Sequence, residues 1–242
     1  HHDADLANGA KDNSYSYSGA NPNNYVCFGS DAATCPSDSL YRIIGVFGDE
    51  VKLKKNTSYG RYAWDSEDSN TWNSSTKPDI RNILNITFLN TLGSTWQNKI
   101  VTHEFKVGGG SWNNIYYGTP KTAYNYEVGA NSSSTTDSMK IGLMYVSDFG
   151  FASSNNCWTT SLGDHGSSEC ESWIPIGLFR SVEWTITRNS SESWAVFRVN
   201  YNNSLDQYNA HTSNSVRPVF YLNSDVQYIS GTGTQTDPYR IN

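Results

Sequence analysis

The sequence predicts an α+β domain of loop-rich antiparallel sheets with two short helices. Three observations carry that expectation. Apolar runs of strand length recur between clusters of Gly, Asn, Asp and Ser. Only one stretch shows a helical period. Aromatic residues make up 14% of the 242 residues while charged ones reach only 17%, so there is ring surface enough to fold around and little charge to keep the chain open. The length allows one core or two small domains, and residues 21–242 read as one.

Taken in order, residues 1–20 contain almost no large apolar side chain and read as a flexible leader, with His1 and His2 as the remnant of a purification tag. Order is expected to begin near Tyr25. Tyr41 to Phe47 and Val51 to Leu53, joined at Gly48-Asp49, predict a hairpin. Tyr59 to Thr76 has no period and reads as a long loop. Lys77-Pro78-Asp79 starts the helical region, where Ile80, Ile83, Leu84, Phe88, Leu89 and Leu92 recur at three- and four-residue spacing; Asn85-Ile86-Thr87 is expected to divide it into two helices. Strands are expected over Ile100–Val107, Lys140–Val146, Trp184–Thr187, Trp194–Val199, Val216–Leu222 and Val226–Ile229. Residues 201–215, nearly all polar or aromatic, read as a long functional loop.

Cys27 and Cys35 lie close together, as do Cys157 and Cys170. Four cysteines allow three connectivities, and proximity favours the local one, which implies an oxidising, extracellular setting. A net charge of −6 argues against nucleic acid as a partner, and the run Lys52, Lys54, Lys55 is too short to change that. No apolar stretch has the length of a membrane span.

Val216-Arg217-Pro218-Val219-Phe220-Tyr221-Leu222, followed by Ser230-Gly231-Thr232-Gly233-Thr234 and Asp237-Pro238-Tyr239-Arg240-Ile241, resembles the closing motif of an uncharacterised extracellular domain family of gut Gram-positive bacteria. Members of that family often follow a prepilin-like or lipoprotein leader. The likeness extends to residues 24–30, 40–48, 88–92 and 141–152. A second resemblance, in the order Glu183-Trp184-Thr185, then Trp194 to Asn200, then Val216 to Phe220, is to C-type-lectin-like domains of the formylglycine-generating-enzyme class, and it implies a C-type-lectin-like fold. The paired cysteines of that enzyme have no counterpart near the closing region, so its oxidase activity is not carried over.

Catalytic motifs are scarce. His103-Glu104 lacks the second His of a metalloprotease helix, Gly108-Gly109-Gly110-Ser111 lacks the Lys of a phosphate loop, and Asp164-His165 beside Ser167 and Ser168 has no triad spacing behind it. No catalytic residue or cofactor is expected. Asp65, Glu67, Asp68 and Asn70 gather hard oxygens in one loop and form a weak calcium candidate, without the Gly and distal Glu of an EF-hand. The better lead is aromatic. Trp112, Asn113, Asn114, Tyr116 and Tyr117, with Tyr201, Asn202, Asn203, Tyr208, Asn209 and His211, mix rigid rings with adaptable hydrogen-bonding groups, as binding loops do. Trp184 and Trp194 are expected to be core. The reading is therefore a cell-surface adhesin that binds a host or microbial glycan or protein. Two alternatives are a structural minor pilin, whose partners would be pilus subunits, and a secreted enzyme acting on glycan or cell-wall material, which would need convergent carboxylates or a perturbed His around Asp148, Asp164 or His165.

Overall fold

The computed structural model describes residues 1–3, 10–167, 169–174 and 182–242. Strands β1 (Tyr15–Ser16), β2 (Tyr25–Cys27), β3 (Leu40–Phe47), β4 (Glu50–Lys55) and β5 (Gly60–Tyr62) come first. The β3–β4 hairpin forms as expected, with Gly48 at φ +64 in its turn. Helix α1 (Asp79–Asn82) then continues into a π-helical stretch, Ile83–Phe88, and a last 3-10 turn, Leu89–Thr91. The expected break at Asn85-Ile86-Thr87 is thus a widening of one helix. Asn85 accounts for the pinning: its amide donates to the Ile141 carbonyl while its oxygen accepts from the N–H groups of Lys140 and Ile141.

The middle of the chain holds α2 (Ser94–Gln97), β6 (His103–Lys106), α3 (Trp112–Ile115), α4 (Pro120–Glu127), β7 (Thr136–Met139) and α5 (Val146–Ala152). The last part is β8 (Glu183–Arg188), β9 (Ala195–Val199), β10 (Leu205–Asn209), β11 (Asn214–Val216), β12 (Val219–Leu222), β13 (Tyr228–Ser230) and β14 (Arg240–Ile241). One antiparallel sheet runs β1-β3-β4-β12, with β2 also on β3; a second runs β10-β9-β8-β11-β5, with β11 parallel to β8. Two-stranded ribbons, β6–β7 and β13–β14, complete a mixed α+β fold of mostly antiparallel sheets. No helix among the described residues is long and apolar enough to cross a membrane. Both local disulfides are present, Cys27–Cys35 and Cys157–Cys170, with S–S distances of 2.04 and 1.99 Å.

Several expectations need correction. The helices outnumber the two expected. At α4, Thr119 caps the helix by accepting from the Thr122 N–H and Pro120 opens its first turn, a start signal that was present in the sequence. The expected strand Lys140–Val146 contributes only the bridge Gly142↔Val219 before α5 begins, because carboxylates capture the first N–H groups of that helix (below). Residues 201–215 are not a structureless loop. A turn with Asn203 at φ +61 leads into β10, whose Leu205, Gln207 and Asn209 pair with Val199, Phe197 and Ala195. The expected single strand Val216–Leu222 divides at Arg217-Pro218 into β11 and β12, which belong to different sheets; Pro218 has no N–H for a ladder. The leader also differs: Tyr15↔Val46 and Ser16↔Gly45 lay β1 along the first sheet, while residues 4–9 of that leader lie outside the described residues. Gly45 permits this approach, since a Cβ there would stand 2.2 Å from the Tyr15 carbonyl oxygen.

The core forms around both sheets. Trp64, Trp72, Trp184, Phe105 and Phe220 belong to one apolar cluster, and Phe149, Trp173, Phe197 and Leu205 to another. Strand β4 joins the layers unusually. Leu53 packs into the first cluster, whereas Lys52 and Lys54, on the opposite face, are each only 1% exposed. Lys54 meets Glu183 of β8 at 2.9 Å, and Arg217 reaches the same carboxylate at 2.6 Å. Burial pushes the Lys54 amine down to about 8, partly opposed by Glu183. The short basic run is therefore interior structure rather than surface charge.

Candidate ligand site

The predicted aromatic residues separate into rings that fill space and rings that face solvent. Trp112 stacks on Tyr116 at 4.1 Å and 12°, the i, i+4 spacing that α3 provides, and lies parallel to Phe197 at 5.9 Å. Gly163 lies against the Tyr116 ring, where a Cβ would come within 2.4 Å. Phe197, Trp112, Tyr116 and Gly163 thus make one packed column. Tyr117 meets the column edge-on, 5.1 Å from Tyr116, and is 64% exposed, while Asn113 faces solvent. The Asn114 N–H is held by the Ser111 cap.

Tyr208 lies across the ribbon from that column. Its ring sits 3.8 Å beneath the Arg198 guanidinium, and Arg198 pairs with Asp206 at 3.0 Å. Phe197 and Arg198 are consecutive on β9, so they point to opposite faces, and the Trp112 group and Tyr208 cannot form one surface. Tyr201 and Asn202 are exposed in the β9–β10 turn, where Asn202 accepts from the N–H and hydroxyl of Ser204 and Asn203 supplies the left-handed residue. Asn209 and His211 bond instead to Asp68, at 3.1 and 2.9 Å. Of the two expected core tryptophans, Trp184 is buried but Trp194 is 37% exposed.

These bonds also disperse the calcium candidate. Asp65 accepts from the Glu67 N–H, Asp68 is taken by Asn209 and His211, and Asn70 turns its amide inward to the carbonyls of Asn189, Glu192 and Ala195. Among the described residues no group of three or more His, Cys, Asp or Glu could hold a metal ion. The Asp164-His165-Ser167 arrangement is not a triad either: among the described residues no hydrogen bond joins the buried His165 ring to Asp164 or Ser167, and Ser167 bonds to the Asp164 carbonyl. Ser168 lies outside the described residues.

The structure instead gathers chemistry in a cavity of about 240 Å³ that sequence reading missed. Its floor is Lys52 and Asp148, whose Nζ and Oδ2 are 2.6 Å apart and almost wholly buried. Phe47, Tyr145 and Tyr221 surround the ammonium at 5.4, 4.7 and 5.3 Å. His103, Glu104, Lys106, Tyr124 and Phe151 line the walls. The residue 10–17 segment crosses one side as a strap, where Asp12 accepts from the Tyr124 hydroxyl at 2.6 Å. His103 stacks on Tyr221 at 3.8 Å and bonds Glu50 at 2.7 Å. Burial lowers its pKa, against the pull of Glu50.

Helix α5 places the carboxylate. Asp148 Oδ2 accepts from the Tyr145 N–H at 2.8 Å as well as from Lys52, while Glu127 accepts from the N–H groups of Val146 and Ser147 and from the Thr187 hydroxyl. Two acids thereby satisfy the start of one short helix. Full burial pushes the Glu127 carboxyl up to about 7 in spite of these donors. Some groups in the cavity remain unspent. Asp148 Oδ1 and the Tyr221 hydroxyl make no hydrogen bond to any described residue. Larger depressions exist, such as that between Asp38, Lys55 and Phe88, but the Lys55 amine there is committed to the Asp38 carbonyl.

The sequence signals for this site were indirect. Lys52 and Lys54 alternate with Val51 and Leu53, which shows that the lysines share a face but not that the face is covered. Asp148 three residues after Tyr145 was readable as a helix start. No family model, curated protein or solved structure matches the chain.

Proposed function

We propose that this chain is an extracellular binding domain, displayed on a cell surface as an adhesin, which seats a glycan or a protein side group in the cavity between β4, α5 and the strap. The observation that carries this reading is the cavity itself: rings on its walls, a paired cation and anion on its floor, and polar atoms that bond to no described residue, the combination expected of small-ligand sites. The two disulfides support an oxidising compartment. The mixed α+β architecture of mostly antiparallel sheets supports the C-type-lectin-like fold as the finer assignment. A binding role is favoured over the enzyme alternative because Asp148 is tied to Lys52, His103 to Glu50, and Glu127 is spent on backbone N–H groups.

The test is an array of glycans and host glycoproteins probed with the native chain, with Phe47→Trp, which fills the cavity, and with the triple variant Tyr201→Ala, Tyr208→Ala, Asn209→Ala. Capture by the native chain and the triple variant, with loss in Phe47→Trp, is the expected result. A blank array would favour the structural pilin, and turnover of a captured glycan would move the chain to the enzyme class.

A further inference from the structure

Resting on that reading, we infer that the cavity recognises a neutral ring bearing a vicinal diol, the chemistry of a single terminal sugar residue. The argument begins with charge. Lys52 and Asp148 stand in contact at the floor, so an anionic ligand approaching the ammonium also meets the carboxylate, and a cationic one approaching the carboxylate meets the ammonium. Three rings already surround the ammonium, so the aromatic cage is occupied by the protein's own cation. At the floor a ligand of either charge therefore loses hydration without gaining an uncompensated partner, and the walls add charges of both signs, Glu104 and Lys106.

Hydroxyl groups suit the same floor. One face of the pair is an acceptor, Asp148 Oδ1, and the other a donor, since Lys52 Nζ has three protons and one bond to Asp148. Two adjacent hydroxyls can match both at once, one donating to the carboxylate and its neighbour accepting from the ammonium. The Tyr221 hydroxyl supplies a third contact that either donates or accepts. The C–H face of the ring then rests on the apolar lining that Ile44, Val128 and Phe151 provide. Size sets the upper limit: about 240 Å³ falls below the ~300–1,000 Å³ of drug-sized sites, so one ring fits and an oligosaccharide would enter by its end.

The experiment is a two-dimensional amide NMR titration of the whole chain with methyl glucoside, galactoside and mannoside, with N-acetylneuraminic acid and glucosamine as charged rings, and with phenol as a neutral ring lacking a diol. At least one neutral methyl glycoside should shift the amides of Tyr145, Asp148 and Tyr221, with the charged sugars and phenol about tenfold weaker or worse, the size of one lost hydrogen bond. Tyr221→Phe should weaken that glycoside about tenfold, and Trp112→Phe should leave it unchanged. Tighter binding of a charged sugar or of phenol at the same amides would overturn the diol assignment and keep the cavity as a site. No response of these amides to any probe would overturn both.

Discussion

Two aromatic regions of this molecule look alike in composition and differ in what they leave undone. Around α3 and β9 the rings of Phe197, Trp112 and Tyr116 lie on one another and on Gly163, and their polar neighbours close turns and caps. Around β4 and α5 the rings of Phe47, Tyr145 and Tyr221 surround a charged pair and an open volume, with an oxygen of Asp148 and the hydroxyl of Tyr221 bonded to no described residue. Rings and amides in one stretch do not make a site; unfilled space next to unsatisfied polar atoms does.

The largest way to break this comparison is to remove one member of the pair. Asp148→Ala leaves the Lys52 ammonium buried without a counter-ion and should cost about 3–5 kcal/mol of stability, read by urea unfolding; a loss below about 1 kcal/mol would mean that the floor is well solvated. Trp112→Ala should cost somewhat less, about 2–4 kcal/mol, because the ring is only partly buried, and should leave ligand affinity unchanged. Any large change in affinity would return the column to the list of binding surfaces. Reducing the Cys157–Cys170 bridge, whose partners are 13 residues apart, should cost about 3 kcal/mol, visible as a lower Tm with reductant.

Glu127 gives the pH dependence its sign. Its folded pKa is raised to about 7, so the folded state holds a proton that the unfolded state releases near the ordinary carboxylate value of about 4.5. Its contribution is fully present below that lower value and is lost as pH rises through about 7. The unfolding free energy should therefore fall between pH 5 and pH 8 by an amount of order a few kcal/mol at most, and Glu127→Gln should flatten that slope. An unchanged slope in the variant would remove Glu127 from the account. The smallest effect belongs to Tyr208→Ala, which gives up one exposed ring beneath Arg198 and should cost about 0.5–1 kcal/mol.

What was legible in the sequence was local. The β3–β4 hairpin, the helix from Asp79 and both disulfides depend on neighbours a few residues apart. The strand ascribed to Lys140–Val146 failed because Glu127, 19 and 20 residues before them, takes two of the N–H groups that start α5. The site was illegible for the same reason: Lys52 and Asp148 are 96 residues apart, and nothing within a window around Lys52 distinguishes a buried lysine from a solvated one. The leader was misjudged because β1 is held by backbone pairing and by the absence of a side chain at Gly45, neither of which appears in a hydrophobicity pattern.

The most direct test of the contrast is a calorimetric titration of one bound methyl glycoside into Tyr221→Phe and Tyr201→Ala in parallel. The first removes only a hydroxyl from the cavity, and the second a whole ring from the surface. A roughly tenfold weaker Kd for Tyr221→Phe with no change for Tyr201→Ala is the predicted result. Lost affinity in Tyr201→Ala with an untouched Tyr221→Phe would contradict it and place the ligand on the outer turn.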